Sequence, residues 1–296
     1  NLSKIKVIKT PIMFTSEVGE LKHLDGVYEK SKSRFFNSLE IKEKEVIKRC
    51  IDHNYRHLIA QEKDWYRQIS KLNYNNIPNI LSYDPLKMER IIGSHGHKKA
   101  NLWSKQKKRK VFNKIVTALH NLHNLSSCLP STECVKQVYK TKTFDRIEKV
   151  SHLIPFIECD LLHINGKKYR NPLHQKERGR FLNKIEQIQI ERFDIIHGDP
   201  TFNNFLITDD DEIFFFDPRG SFGKTSIYGD KRYDWAKLYY SIVGNYDSVN
   251  EKRFKIKYNN NDVKYTVDSN GWEFLEEELI KQSKVSKQEL LLLNCL

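Results

Sequence analysis

Asp199, Asn204 and Asp217 are three oxygen-bearing side chains within one short stretch of the chain. Asn204 opens the apolar segment "NFLI", and Asp217 closes the apolar segment "IFFFD", with the acidic turn "TDDDE" between the two. A hairpin of this length returns the chain on itself, so we expect Asp217 to lie near Asn204, with Asp199 on the loop that enters the first strand. Carboxylate and amide oxygens of this kind suit Mg²⁺, which proteins commonly share with substrate phosphates.

Phosphoryl transfer is the chemistry that such a group of side chains could perform. It requires positioning, metal ions and an acceptor for the hydroxyl proton. One carboxylate beside the attacking hydroxyl and an Asp–Asn pair on the metal would meet that need. The alternative is an ordinary polar loop between two strands, because Gly, Pro, Asn and Asp are common turn residues.

The segment "HGDPTFNN" (residues 197–204), followed by "FFFDPRG" (residues 214–220), resembles the catalytic segment of the aminoglycoside phosphotransferase and choline kinase superfamily. The resemblance implies that Asp199 is the catalytic base and that Asn204 and Asp217 are magnesium ligands, with ATP, or alternatively GTP, as phosphate donor. It also implies an α+β, bilobal protein-kinase-like fold, with a small β-rich N-lobe (residues 1–90) and a larger, mainly helical C-lobe (residues 91–296). Protein kinases have His-Arg-Asp and Asp-Phe-Gly here, so the departure at Gly198 and after Asp217 favours a small-molecule acceptor.

The same resemblance implies a nucleotide site in the N-lobe. A strand lysine and a helix glutamate are expected, and Lys48 at the end of "EVIKRC" with Glu62 fourteen residues later has that spacing. The loop "SKSRFFNSL" would cover the phosphates, with Ser31 and Ser33 among the contacts, and backbone groups of Glu89 to Ile91 would pair with the base. Lys and Glu are abundant, so an ordinary strand end and a plain edge strand are the alternatives at these positions.

An acceptor cleft is implied between the C-lobe helices. Candidate contacts are basic residues in three segments of the sequence: Lys142, Arg146, Lys168, Arg170 and Arg219. Because aminoglycosides are polycations and this half of the chain is basic, we expect a neutral or anionic acceptor, such as a sugar, a sugar phosphate or a nucleotide-linked metabolite. The planar arginine head group suits phosphate and carboxylate groups.

Hydrophobic periodicity indicates the elements that position these residues. Residues 35–51 predict two strands around a charged turn, residues 54–70 an amphipathic helix, and the segments "NIPNILSY" and "LKMERII" two further strands. From about residue 105 the pattern is helical, interrupted by the hairpin. His120 and His123 lie on one helical face and are interpreted as packing or loop-anchoring residues, and Asp234 is expected to brace the catalytic loop.

Composition restricts the remaining possibilities. The 296 residues are 39% hydrophobic and 30% charged, carry a formal charge of +13, and contain five scattered cysteines without a CxxC pair. This favours a protein of the reducing cytoplasm without a membrane span or signal peptide, and nucleic acid is a less favoured partner. An atypical protein kinase and a non-catalytic nucleotide-binding module remain alternatives. Fusion to another catalytic domain of a polysaccharide pathway, such as a nucleotidyltransferase, is a further expectation.

Overall fold

The N-terminal part is a four-stranded antiparallel sheet with the order β1-β2-β4-β3. The computed structural model describes residues 36–98 and 102–296. The strands are β1 (Asn37–Ile41), β2 (Glu45–Cys50), β3 (Ile80–Tyr83) and β4 (Leu86–Glu89). The predicted pair of strands around "KEKE" is confirmed. Strand β2 hydrogen-bonds to a neighbour on either side, which places Lys48 in the middle of the sheet rather than at its edge.

Helix α1 (Arg56–Ile69) follows β2 and packs on this sheet. Asp52 caps the preceding turn by accepting a hydrogen bond from the backbone N–H of Asn54. The buried side chains of α1 recur at helical spacing and include one charged residue among apolar ones: Ile59, Glu62, Trp65, Tyr66 and Ile69. A glutamate on the buried stripe of an amphipathic helix requires a partner, because an isolated buried charge is very costly.

The C-terminal part is mainly helical. Its principal helices have these bounds: α2 (Lys105–His123), α3 (Thr132–Val135), α4 (Lys142–Val150), α5 (Gln175–Glu186), α6 (Lys231–Ile242), α7 (Tyr246–Asn250), α8 (Glu276–Ser283) and α9 (Lys287–Asn294). A π-helix (Lys136–Thr141) joins α3 to α4. Helices α2 and α6 bury nearly whole faces in the core, including the fully buried Trp235. The sequence predicts helices in residues 110–125, 232–244 and 272–282, and α2, α6 and α8 confirm them.

Short strands connect the helices to the candidate site. Strand β8 (Phe193–Ile195) pairs with β5 (Ser127–Cys128) on one side and β11 (Tyr228–Gly229) on the other. Strands β9 (Phe205–Ile207) and β10 (Ile213–Phe215) form the predicted hairpin. The hairpin is anchored by fully buried aromatic rings, since Phe205 and Phe215 each have 0% exposure.

A second four-stranded sheet was not predicted. It consists of β6 (Leu161–Ile164), β7 (Lys167–Arg170), β12 (Phe254–Asn259) and β13 (Asp262–Val267), in the order β12-β13-β6-β7. Asn165 and Gly166 both have positive φ, as the two-residue Asn-Gly hairpin turn requires. The description of this lobe as helical with one small hairpin was therefore incomplete.

The connection between the two parts passes close to the hairpin. The chain leaves β4 after Glu89, and Ser94 exchanges two backbone hydrogen bonds with Ile207 of β9, at 2.9 and 3.0 Å. A Cβ at Gly93 would lie 2.7 Å from the Ile207 carbonyl oxygen, so only glycine permits this approach. The mixed α+β architecture agrees with the predicted fold class, whereas the division at residue 90 stays a prediction. None of the helices in the described ranges combines the length and apolar character needed for a bilayer crossing.

Candidate active site

The hairpin gathers the three oxygen-bearing side chains with which the sequence argument began. The backbone N–H of Phe216 donates to the Asn204 carbonyl at 3.0 Å, which sets Asp217 beside Asn204. The Asn204 amide nitrogen donates to both the backbone carbonyl (2.8 Å) and the Oδ2 atom (3.1 Å) of Asp199. The expected convergence of Asp199, Asn204 and Asp217 is therefore present in the structure, while their catalytic roles stay predictions.

Lys48 links this hairpin to the N-terminal sheet. Its Nζ lies 2.6 Å from Glu62 Oε2 and 2.5 Å from Asp217 Oδ1, and it is 6% exposed. Burial by itself lowers the pKa of Lys48, but the adjacent carboxylates of Asp217 and Glu62 outweigh that effect and raise it, so the ammonium stays charged. The buried glutamate of helix α1, Glu62, thus has a partner in Lys48. The two residues that the sequence spacing predicted as a pair are in contact.

The loop that contains Asp199 is fixed by hydrogen bonds to the side chain of Asp234. This carboxylate is 0% exposed and accepts three hydrogen bonds, from the backbone N–H of His197 (2.9 Å), the backbone N–H of Gly198 (2.7 Å) and Nε2 of His123 (3.0 Å). The expected bracing role of Asp234 and the loop-anchoring interpretation of His123 agree with these contacts. The neighbouring Asp230 caps helix α6 through the backbone N–H of Arg232.

His197 connects the loop to the hairpin. The backbone N–H of Asp199 donates to His197 Nδ1 at 3.3 Å, so Nε2 carries the ring proton and donates to the Phe216 carbonyl at 3.0 Å. Burial lowers the pKa of His197, which favours this neutral form. The imidazole of His197 therefore links the backbone of Phe216, next to Asp217, to the backbone of Asp199, the candidate base.

Two glycines allow close backbone approaches in the site. Gly198 has a φ of 84°, and a Cβ there would lie 2.7 Å from Arg219 Cβ. Gly220 has a φ of 71°, and its Cβ would lie 2.4 Å from the Gln61 carbonyl oxygen of helix α1. Left-handed backbone and absence of space both require glycine at these positions.

The donor set fits magnesium bound together with phosphates. With its amide nitrogen directed at Asp199, Asn204 retains Oδ1 as a possible cation ligand, and its backbone carbonyl is hydrogen-bonded to Phe216, the residue before Asp217. Within the described ranges no group of three or more His, Cys, Asp or Glu residues is arranged to hold a metal. A complete protein cage is not needed, because Mg²⁺ usually takes one or two carboxylates together with substrate phosphates and water.

The other predicted nucleotide contacts are placed as follows. Glu89 ends β4, where its carboxylate accepts a hydrogen bond from the Asn79 amide at 2.7 Å, and Ile91 lies in the connection between the two lobes. The backbone of residues 89–91 therefore lies between the sheet and the C-terminal part, and its contact with the nucleotide base stays a prediction. Ser31 and Ser33 lie outside the described residues.

The predicted acceptor residues divide into two groups. Lys142, Arg146 and Arg219 are electrostatic neighbours on the Asp199 side of the site, where Arg219 acts on both of the others. Lys168 and Arg170 lie on exposed strand β7 of the second sheet, where Arg170 pairs with Glu177 at 2.8 Å. In the described part of the chain, no hydrogen bond or ion pair connects those two with Asp199.

Sequence reasoning missed two residues of helix α6 at this site. Lys237 Nζ is 3.6 Å from Asp199 Oδ1, and the Tyr233 ring lies 5.4 Å from the same Nζ. They are four residues apart on one helical face, directly after the capping Asp230. That spacing within "RYDWAK" was the available signal, because the helix was predicted and Asp234 already placed it against the loop.

Known proteins of similar fold were found by structure and not by sequence. No protein-family model and no curated protein matches the chain. The chain is similar to APH(2")-IIa in its ternary complex with streptomycin and ATP, with a TM-score of 0.51, 15% identity, and coverage of 97% of this chain and 82% of that one. It is also similar to a second APH(2") protein in complex with GDP and kanamycin, with a TM-score of 0.53, 12% identity, and coverage of 99% of this chain and 87% of that one. For an aminoglycoside-3'-phosphotransferase of type VIII the TM-score is 0.50, the identity 12%, and the coverage 95% of this chain and 98% of that one.

At these identities the likeness concerns the fold. The chain has the protein-kinase-like fold of the aminoglycoside phosphotransferases, which confirms the fold expected from "HGDPTFNN" and "FFFDPRG". Because each match extends over nearly all of this chain, the likeness includes both the N-terminal sheet and the helical part.

Proposed function

We propose that this protein is a Mg²⁺-dependent kinase that transfers the terminal phosphoryl group of ATP to a hydroxyl of a small metabolite, with GTP as an alternative donor. The observation that carries the proposal is the continuous set of contacts from Glu62 through Lys48 to Asp217, next to the Asn204–Asp199 pair. It supplies one buried cation, Lys48, two candidate metal ligands, Asn204 and Asp217, and two further carboxylates, Glu62 and Asp199.

Each side chain has a defined task in this proposal. Lys48, fixed by Glu62, would bind nucleotide phosphates, and Asn204 and Asp217 would hold the magnesium, whose charge stabilises the phosphates during transfer. Asp199 would take the hydroxyl proton, and its 19% side-chain exposure supports this role because an acceptor can reach it. The acceptor oxygen forms a new bond to the terminal phosphorus, and the bond to the nucleoside diphosphate breaks with its electron pair remaining on the leaving oxygen.

A small acceptor is favoured over a protein. Only residues 218–230 separate Asp217 from helix α6, and Gly220 and Phe222 of this segment are buried against the body of the protein. A protein kinase normally positions its substrate with a longer segment at this place, so an atypical protein kinase is the less favoured reading. The cytoplasmic location, the polysaccharide pathway and the fused partner domain stay predictions from the sequence.

The test separates nucleotide binding from transfer. Wild-type protein should show a rise in melting temperature with ATP that depends on Mg²⁺, and it should consume ATP with one member of a panel of sugars, sugar phosphates, amino alcohols and nucleotide-linked metabolites. Asp199→Asn should retain the nucleotide-dependent shift while transfer falls about 10²- to 10⁴-fold, the usual contribution of a general base. Asp217→Asn should lose the magnesium dependence of the shift.

The matched control is Asp210→Asn, which removes an exposed carboxylate from the turn of the same hairpin. It should behave like wild type in both measurements. Transfer at wild-type rate by Asp199→Asn or Asp217→Asn would refute the assignments, and absence of any nucleotide-dependent shift would refute the proposed activity.

A further inference from the structure

Four basic side chains surround one buried tyrosine beside the candidate base. Tyr233 is 2% exposed, and its ring has Lys237 Nζ at 5.4 Å and Lys142 Nζ at 5.7 Å from its centroid. Arg219 is the cation with the strongest electrostatic effect on Tyr233, and Arg146 is in turn influenced by Arg219. The group therefore extends from helix α4 across to helix α6 and reaches Asp199 through Lys237.

Asp199 and Asp217 are the carboxylates that act on Arg219 electrostatically, and Asp199 also pairs with Lys237 at 3.6 Å. Within the described ranges none of Lys142, Arg146 and Arg219 forms a salt bridge, although Lys140, a few residues earlier, pairs with Glu186 at 2.5 Å. The Nε atom of Arg219 is buried and has no hydrogen-bond partner among the described residues. Like charges kept together without counterions are unfavourable, and a buried N–H without an acceptor adds to that cost.

The electrostatic consequences are consistent with a strongly positive site. Burial, aided by the neighbouring Arg219, Arg146 and Lys237 and opposed by Tyr233, lowers the pKa of Lys142 to about 8. Burial raises the pKa of Tyr233, but Arg219, Lys237 and Lys142 together overcome burial and lower it to about 7. The shift of Tyr233 shows that the basic neighbours favour negative charge at this place.

We propose that Lys142, Arg146 and Arg219 form a subsite for a phosphate group that the acceptor itself carries, close to the hydroxyl that is phosphorylated. A phosphate monoester supplies nearly two negative charges and three acceptor oxygens, which three basic side chains can match, whereas a carboxylate supplies one charge and two oxygens. The subsite lies beside Asp199, so the phosphate would be bound near the proton acceptor. This inference deepens the proposed kinase activity and rests on it.

The same charge arrangement excludes a polycationic acceptor. The structurally similar proteins described above were determined with streptomycin and kanamycin, which are cationic ligands of those proteins. In this chain three basic side chains, none of which forms a salt bridge among the described residues, lie on the side of the candidate base where Tyr233 is buried. A polycation at this position would be repelled, so similarity of fold does not carry over similarity of acceptor.

The experiment compares acceptors that differ only in a phosphate. Glycerol 3-phosphate with glycerol, and glucose 1-phosphate with glucose, are tested as acceptors, and inorganic phosphate is tested as a ligand by calorimetric titration. Lys142→Met and Arg146→Gln are the test variants because neither contacts the candidate metal ligands. Lys149→Gln is the matched control, since Lys149 is an exposed lysine at the end of the same helix.

We expect wild-type protein to bind inorganic phosphate and to use phosphorylated acceptors in preference to their unphosphorylated counterparts. Each test variant should weaken phosphate binding, and raise KM for a phosphorylated acceptor, about 10-fold or more, which is the usual effect of losing one charge-assisted hydrogen bond. The variants should leave ATP affinity unchanged, which distinguishes an acceptor subsite from a nucleotide subsite. Lys142→Met should fold at least as stably as wild type, because it removes a poorly compensated charge.

Each outcome separates the subsite from the proposed activity. Efficient transfer to acceptors without a phosphate, with KM unchanged in both variants, overturns the subsite and leaves the kinase activity standing. Phosphate binding that is lost in the variants, without transfer to any acceptor, supports the subsite and refutes the kinase activity. A parallel loss of ATP affinity in both variants overturns the acceptor assignment.

Discussion

Replacement of Asp234 by asparagine should destabilise the protein strongly without changing its shape. Asp234 is fully buried and accepts hydrogen bonds from His197, Gly198 and His123 at 2.9, 2.7 and 3.0 Å. These donors reach both carboxylate oxygens, because Gly198 donates to Oδ1 and the other two donate to Oδ2. Asparagine is nearly the same size but has one acceptor oxygen, so its NH₂ group must face at least one N–H donor.

The expected loss follows from these three contacts. If the amide oxygen takes the position of Oδ2, the Gly198 N–H is left buried without an acceptor, which costs about 1–3 kcal/mol. The two remaining bonds change from charge-assisted to neutral, and each becomes weaker by roughly 1 kcal/mol. The free energy of unfolding should therefore fall by about 3–5 kcal/mol.

Urea denaturation followed by far-UV circular dichroism measures this change. The midpoint should decrease while the m-value stays constant, since the surface exposed on unfolding is unaltered. Asp64→Asn is the control, because Asp64 has 57% side-chain exposure and pairs with Arg67 one turn away on helix α1. The control should change stability by less than about 0.5 kcal/mol. A loss below about 1 kcal/mol for Asp234→Asn would refute the bracing argument.

Three further predictions concern other contacts. Gly220→Ala should lower the free energy of unfolding in a urea titration by about 3 kcal/mol, because residue 220 has a left-handed φ and its Cβ would lie 2.4 Å from a backbone oxygen. Gly179→Ala, in an open helical position, is the control and should raise the free energy of unfolding by about 0.5–1 kcal/mol. Equal effects would contradict the geometry. Lys48→Met removes the cation next to the buried Glu62 and the partly buried Asp217, and it should cost about 3–5 kcal/mol by the same measurement; a neutral result would count against the ion pair. Tyr233 has a folded pKa of about 7, below its usual 10.0, so its phenolate contributes stability that is present above pH 10 and is lost as the pH falls through 7. The difference in absorbance at 295 nm between wild type and Tyr233→Phe should show one phenol that ionises near pH 7. A midpoint above pH 9 would contradict the assignment.

Local sequence patterns predicted the part of the site that a single hairpin forms. Asn204 and Asp217 are brought together by two apolar strands and an acidic turn, all within fourteen consecutive residues. Lys48 and Glu62 are likewise separated by one strand end and one helix start. Over such short distances the alternation of apolar and polar residues largely determines which side chains meet.

The group of basic side chains around Tyr233 depends on tertiary contacts that local sequence patterns do not contain. Lys142 and Tyr233 are ninety-one positions apart in sequence, and they meet because the π-helix and helix α4 pack beside helix α6. One such contact is direct, since Tyr139 of the π-helix donates to Asp230, the cap of helix α6, at 2.9 Å. The sequence indicated basic candidates in several segments, but only tertiary packing selects Lys142, Arg146 and Arg219 over Lys168 and Arg170.

The second sheet was missed for a different physical reason. Strand β7 is exposed along its whole length and β12 along nearly all of it, so neither shows the alternation of buried and exposed residues that identifies a strand. Its central pairing is parallel and joins β6 to β13, about one hundred residues apart. The Asn-Gly turn at residues 165–166 was the only strong local signal, and it predicts one hairpin rather than a four-stranded sheet.

Two departures from the protein-kinase pattern, Gly198 and Arg219, form one structural arrangement. A Cβ at residue 198 would lie 2.7 Å from Arg219 Cβ, so a side chain before Asp199 would displace the arginine that follows Asp217. Protein kinases have an arginine in the loop of the catalytic base. This chain instead has its arginine in the segment after the candidate metal ligand, where Arg219 lies beside Tyr233. A chain that keeps glycine at 198 can place an arginine beside Tyr233, and the proposed preference for a phosphorylated acceptor rests on this arginine together with Lys142 and Arg146.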